Sequence, residues 1–176
     1  KSEVTQINAY LTEGDSIFIS RRSKPLSNIP VATFGSMPND KGNLILEKEQ
    51  RDYLVDHYEI TEKWIKRYVG AADLMRGLER YCLVIPDSDV EQAVNIPEIR
   101  ERLEGVRQHR LDSTEESTRK MANYPNRFYF YAHKPGASIM IPSTTSERRE
   151  YVPLAYLDDD SVVSNSGQVI FDSEPW

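Results

Sequence analysis

The chain has 176 residues, 39% of them hydrophobic and 28% charged, an ordinary balance for a folded soluble protein long enough to bury a real core. Its formal net charge of −6, from 22 basic and 28 acidic side chains, argues against indiscriminate attachment to nucleic acid through bulk charge. No window approaches the roughly 18 apolar residues that a membrane helix needs, so no membrane partner is expected, and the lone Cys82 excludes an internal disulfide.

Residues 1 to 14 contain Ile7, Tyr10 and Leu11, and after Gly14-Asp15 the segment Ser16 to Ser20 alternates like a strand. That strand delivers Arg21-Arg22-Ser23-Lys24-Pro25, where cations and a hydroxyl suit phosphate oxygens. A short run from Pro30 to Phe34 leads into Gly35 to Asn43, nine residues dense in turn formers that make a shaped loop. No Gly-Lys-Ser/Thr ending follows, so this is not a phosphate-cradling P-loop. Leu44 to Leu46 is short and apolar, and Glu47 to Tyr58 reads as a surface helix carrying Tyr53, Leu54 and Tyr58.

Thr61 is placed to cap a second short helix with Trp64, Ile65 and Tyr68 on it, ended by Gly70. Leu74, Met75 and Leu78 beside Gly77 suggest a further turn, and Arg80 to Ile85 a buried strand that holds Cys82 as a small hydrophobe. From Pro97, Ile99, Leu103, Val106 and Leu111 recur at helical spacing, predicting a helix of about four turns. Ser113-Thr114-Glu115-Glu116 is a capping-box pattern that starts a second helix to Ala122 or marks a bend in one long helix. Either arrangement puts Arg107, Arg110, Arg119 and Lys120 within reach of one another. Residues 100 to 134 carry eight basic against five acidic side chains, whereas residues 35 to 99 carry eight against thirteen, so one face can be basic on an acidic molecule.

After Tyr124-Pro125 the chain becomes β in character. Phe128, Phe130 and Ala132 alternate with Tyr129, Tyr131 and His133, and Lys134-Pro135-Gly136 makes a turn. An apolar strand at Ile139 to Ile141 then leads through the hydroxyl-rich turn Pro142 to Ser146 and the charged knot Glu147-Arg148-Arg149-Glu150 into a strand from Tyr151 to Leu157. Two strands holding a polar loop make a rigid mount for side chains that must reach a partner. Asp158-Asp159-Asp160 reads as a solvated acidic turn, and Ser164-Asn165-Ser166-Gly167 precedes a last strand from Gln168 to Phe171.

The chemistry of catalysis is missing from the sequence. His57, His109 and His133 are far apart and in no metal-ligand spacing, Cys82 has no CxxC partner, and no nucleophile elbow or glycine-rich dinucleotide loop occurs. Neither a catalytic nor a metal site is expected. Ten tyrosines could stack on bases, though amphipathic packing is their commoner use. The fold expected is mixed α/β of the α+β kind: a curved, largely antiparallel sheet with a long helix or helical hairpin and inserted short helices.

A set of landmarks recurs in order along nearly the whole chain: Ile7 to Leu11, Arg22 to Pro25, Phe34 to Leu44, Arg67 to Ala71, Arg80 to Leu83, Thr118 to Lys120, and Ser146 to Leu154. Together they resemble the target recognition domain of MmeI-like type IIL restriction-modification enzymes. Ala9 stands where that family usually has proline and Lys41 where glycine is common. The resemblance implies that residues 1–176 are a DNA target recognition domain cut from a longer polypeptide that also carries an S-adenosylmethionine-dependent adenine-N6 methyltransferase domain. A nuclease domain with Mg2+ can accompany it, and a helical C-terminal part would follow Trp176.

By that resemblance Ser143, Thr144, Thr145, Ser164, Asn165 and Ser166 align with base-reading positions, which suits asparagine pairing with adenine and hydroxyls that donate or accept. Arg21, Arg22, Ser23, Lys24, Lys41, Arg119, Lys120, Arg148 and Arg149 are the candidate contacts to the DNA backbone. Arg148 and Arg149 either clamp phosphates or pair with Glu147 and Glu150 to stiffen their loop. The expected partners are double-stranded DNA and the methyltransferase domain of the same polypeptide, in the cytoplasm. The fragment itself is not expected to be catalytic, and no cofactor is expected within it. The rival is a protein-interaction module without DNA binding, which docks another domain through its aromatic β surface.

Overall fold

The computed structural model describes residues 6–15, 21, 26–27 and 29–172. The strand expected at Ser16 to Ser20 and the candidate residues Arg22, Ser23 and Lys24 lie outside the described residues. The chain divides into two compact units, Lys1–Val31 and Ala32–Trp176. In the first, the Asn8 side-chain carbonyl accepts from the Tyr10 and Thr12 N–H groups and the Thr12 hydroxyl, folding the chain back so that Ile7 and Glu13 bridge. Leu11 takes a positive φ of 61° at the tip of that turn.

The second unit contains two four-stranded sheets. Strands β1 (Thr33–Phe34), β2 (Ile45–Glu47), β3 (Ile65–Val69), β4 (Arg80–Leu83), β5 (Ser138–Pro142), β6 (Ala155–Leu157), β7 (Ser161–Val163) and β8 (Gly167–Phe171) are accompanied by helices α1 (Lys48–His57), α2 (Ala71–Arg76), α3 (Val90–Ala93), α4 (Pro97–Leu111) and α5 (Glu116–Lys120). One sheet, in the order β1-β8-β5-β6, is antiparallel throughout. The other, β2-β4-β3-β7, is antiparallel except for the parallel pair β3–β7. The single curved sheet of the sequence reading is therefore two sheets, and consecutive strands β7 and β8 belong to different ones.

The larger core lies beside the second sheet, where Leu44, Leu46, Leu54, Trp64, Cys82, Leu83, Ile99, Leu103 and Val106 are buried. Burial pushes the Cys82 thiol pKa up and keeps it protonated. Helix α4 begins with Pro97 in its first turn and buries Ile99, Leu103, Val106 and Arg110 along one stripe. The fourth member is Arg110 rather than Leu111, which is 45% exposed. A smaller core of Val69, Met140, Leu157, Val163, Val169 and Phe171 serves the first sheet.

Three further expectations change. The helix expected from Thr61 to Gly70 is a 3-10 turn, Glu59–Trp64, followed by β3. Ile65, Tyr68 and Val69 favour a strand, and a central strand buries successive residues on both faces, which imitates helical periodicity. Gly70 precedes α2 instead of ending a helix. The alternating segment Phe128 to His133 makes only a bridge, Met37 to Phe130, and the strand expected from Tyr151 shortens to Ala155–Leu157. No helix among the described residues is long and apolar enough to cross a membrane.

Candidate nucleic-acid interface

The two segments assigned to base reading are far apart in sequence, and the first sheet brings them together. Strands β5 and β8 pair antiparallel in a register that ends at Pro142 opposite Gly167. One residue beyond, the Ser143 N–H donates to the Ser166 carbonyl at 3.0 Å. The turn Ser164-Asn165-Ser166 and the loop that begins at Ser143 therefore leave the sheet side by side. Ser143, Thr144 and Thr145 are exposed, and their side chains make no hydrogen bond among the described residues.

The 164–166 turn is fastened from two sides. Toward β1, the Ser36 N–H donates to Val163 and the Asn165 N–H to the Ser36 carbonyl. Gly35 is required there, because a Cβ would stand 2.1 Å from the Ser164 carbonyl oxygen. Toward α2, the Ser164 N–H donates to the Val69 carbonyl and the Ala71 N–H donates to the Ser166 hydroxyl at 2.9 Å. The two serine hydroxyls lie 2.6 Å apart. Ser164, one of the expected base readers, is 4% exposed and its hydroxyl is enclosed by the turn. The Asn165 side chain is exposed and makes no hydrogen bond among the described residues.

Beneath this turn, the buried Asp73 carboxylate accepts from the Gly70 N–H at 2.7 Å and from both Nε and Nη2 of Arg80, at 2.8 and 2.6 Å. The pair holds the Arg80 guanidinium pKa up. Arg80 also lies over the Tyr68 ring, whose hydroxyl donates to the Ser36 carbonyl and whose pKa is driven up by burial.

The charged knot is exposed throughout. Its turn is tied by the Ser146 hydroxyl, which accepts from the Arg148 N–H, and by the Ser146 carbonyl, which accepts from Arg149. Neither arginine forms an ion pair with Glu147 or Glu150 among the described residues.

The basic cluster expected on α4 and α5 is dispersed. Arg110 is fully buried and its guanidinium donates to five backbone carbonyls, those of Pro38, Asn39, Met121, Tyr124 and Arg127. Burial lowers its pKa, and the Asp40 charge acts against that shift. Arg107 faces Glu104, Lys120 pairs with Glu116 at 2.8 Å, and Arg119 donates to the Ser113 and Thr114 carbonyls. Helix α5 starts after Glu115 with no side-chain cap, and Ser113 instead accepts from the Glu115 N–H.

Sequence reasoning missed Arg110, although the spacing pointed to it: four residues after Val106 is Arg110, and the step of five to Leu111 is irregular. By gathering Pro38 and Asn39 with Met121 and Tyr124, Arg110 brings the stretches that carry Lys41, Arg119 and Lys120 to one neighbourhood. Lys41 is exposed at a φ of 53°, the conformation glycine adopts without strain. Arg21 is exposed in the first unit. The Asp158–Asp160 turn is exposed, with Asp160 facing Lys66 and Asp158 accepting from the Ser161 hydroxyl. No group of three metal-ligating side chains gathers among the described residues.

The chain is similar to proteins whose function is known. It is 34% identical over 174 residues to DNA methyltransferase A of Bacillus subtilis (strain 168), covering 99% of this chain and 20% of that protein. The solved structure of the type IIL restriction-modification enzyme MmeI in complex with DNA matches with a TM-score of 0.83 at 28% identity, over 98% of this chain and 23% of that one. The chain thus spans about a fifth of the length of these relatives. Residues 13–176 match the family model described as MmeI, target recognition domain, and the chain belongs to that family.

Proposed function

We propose that this chain is the sequence-reading part of a longer S-adenosylmethionine-dependent adenine-N6 DNA methyltransferase of the type IIL restriction-modification kind. The observation that carries this reading is the junction of the Ser143 loop and the Asn165 turn at the paired ends of β5 and β8. It offers three hydroxyls and one carboxamide without hydrogen-bond partners among the described residues at one end of a sheet, the donor and acceptor set that major-groove base edges require. Ser143, Thr144, Thr145 and Asn165 face the bases, while Ser164 and Ser166 hold the turn. Arg148 and Arg149, exposed and without carboxylate partners among the described residues, contact phosphates, as do Lys41, Arg119, Lys120 and the Arg21 to Lys24 segment.

An adenine flipped from the duplex would then enter the catalytic pocket of the methyltransferase domain of the same polypeptide. S-adenosylmethionine, and Mg2+ where a nuclease is present, belong to those other domains, and the protein works in the cytoplasm. The net charge of −6 means that duplex affinity rests on individual cations rather than on a field over the whole molecule.

The test is a selection from duplexes with a randomised core, using the full-length protein, followed by isotherms on the enriched and scrambled duplexes at two salt concentrations. The reading expects a defined enriched sequence and affinity that falls steeply with salt. Absence of duplex binding at low salt overturns it. The rival protein-docking reading draws on the exposed Phe34, Tyr151, Leu154 and Tyr156 and expects salt-insensitive association with a protein instead.

A further inference from the structure

Asn165 owes its position to a part of the chain almost a hundred residues away in sequence. Parallel strands β3 and β7 leave their sheet at the same end, so the start of α2 and the Ser164–Ser166 turn emerge together. Four groups close the space between them: Gly70, the two serine hydroxyls, and the Asp73 carboxylate with Arg80 clamped on it.

Gly70 has a φ of −106°, which any residue adopts, so its backbone does not demand glycine. Space does. A Cβ there would stand 2.9 Å from Ser164 Oγ and 3.0 Å from both Ser166 Oγ and Asp73 Oδ2. The Ala71 N–H belongs to the first turn of α2, where amides lack helical partners, and it is satisfied by Ser166 rather than by a residue of its own helix. With Ser164 buried and Ser166 engaged, Asn165 is the one side chain of the turn left without a hydrogen bond among the described residues.

Resting on the DNA-reading assignment above, we infer that Gly70, Ser164, Ser166 and the Asp73–Arg80 pair are positioning residues for base discrimination by Asn165. They touch no base. They fix the direction in which the carboxamide leaves the turn, and bidentate pairing with a base edge tolerates little angular error. The cradle and the reader are thus separable: residue 165 sets which base is preferred, and the cradle sets how strongly.

A double-mutant cycle in the full-length protein tests this, read as the preference at each base pair in sequencing of randomised duplexes enriched by binding, with thermal unfolding recorded beside it. Asn165→Ala should abolish the preference at one base pair. Ser166→Ala should weaken the preference at that same pair by about tenfold, the scale of one lost hydrogen bond, and add nothing in the Asn165→Ala background. Ser164→Ala and Gly70→Ala should act at the same base pair, which keeps the test open if one variant folds poorly. Additive losses, losses spread evenly over all positions, or no loss from any cradle variant overturn the inference while leaving Asn165 as a reader. An Asn165→Ala protein with unchanged preferences overturns the assignment of that reader and the cradle with it.

Discussion

The turn at Ser164–Ser166 and the loop from Ser143 to Leu154 leave the ends of two paired strands, yet they are held by opposite means. The turn is short, packed against Gly35, Ser36 and Gly70, and bonded through nearly every polar group except the Asn165 side chain. The loop is long, exposed from Ser143 to Val152, and tied mainly by one serine-centred turn and the Ser143 link to Ser166. A surface that reads DNA gains from both: a fixed residue sets the register, and an adaptable one follows the groove. Hydroxyl content, which the two segments share in sequence, says little about how firmly each is held. Rigidity comes from what packs behind.

The largest expected effect falls on the braced side. Gly35→Ala forces a methyl group into the Ser164 carbonyl, and denaturant unfolding should show a loss of about 3 kcal/mol, the upper range for overpacking a filled site. A variant of wild-type stability would mean the brace is not rigid. Asp73→Asn comes next. It removes the charge that Arg80 and the Gly70 N–H rely on, and should cost about 2 kcal/mol, as for hydrogen bonds to a charged group in a buried setting.

Acid should weaken the molecule through two carboxylates just before α3. Asp87 has a pKa of about 2, held there first by Arg127 and then by Asn126, and Asp89 a pKa of about 2, held by Lys63 and the Trp64 indole, both against an ordinary value of 3.8. These carboxylates bind fewer protons folded than unfolded, so their contribution is complete above about pH 4 and is lost as pH falls toward 2. Unfolding midpoints measured across that range should drop for the wild type, and less steeply for Asp87→Asn.

On the exposed side the effects should appear in binding and hardly in stability. Arg148→Ala should lower affinity about equally for all duplexes and reduce the salt slope by about 1, as expected for one phosphate contact. The smallest stability effect belongs to Thr144→Ala with Thr145→Ala, within about 0.5 kcal/mol by denaturant unfolding, since both side chains are exposed and neither has a hydrogen-bond partner among the described residues. Their loss should instead narrow the gap between enriched and scrambled duplexes, and an unchanged gap would remove them from the reading set.

Helix α4 and strands β5 and β8 were legible because their buried residues repeat at one period, and β4 because its apolar run is closed by Pro86. Strand β3 was not, because burial on both faces removes the alternation that marks a strand. Arg110 escaped for a related reason: a buried arginine looks like a solvated one until the five carbonyls that enclose it, drawn from two distant stretches, are in place.

The sequence by itself determined the mixed α/β class, the family, the absence of an internal disulfide and the two polar segments on which DNA reading is proposed. These depend on local pattern and on the order of landmarks along the chain. The pairing of the folded chain shows that there are two sheets, that Ser143 stands beside Ser166, that Ser164 is enclosed while the Asn165 side chain is exposed, and that Arg110 is structural. Those facts follow from strand pairing and close packing between distant segments, and a side chain's availability is set by the neighbours that pairing brings.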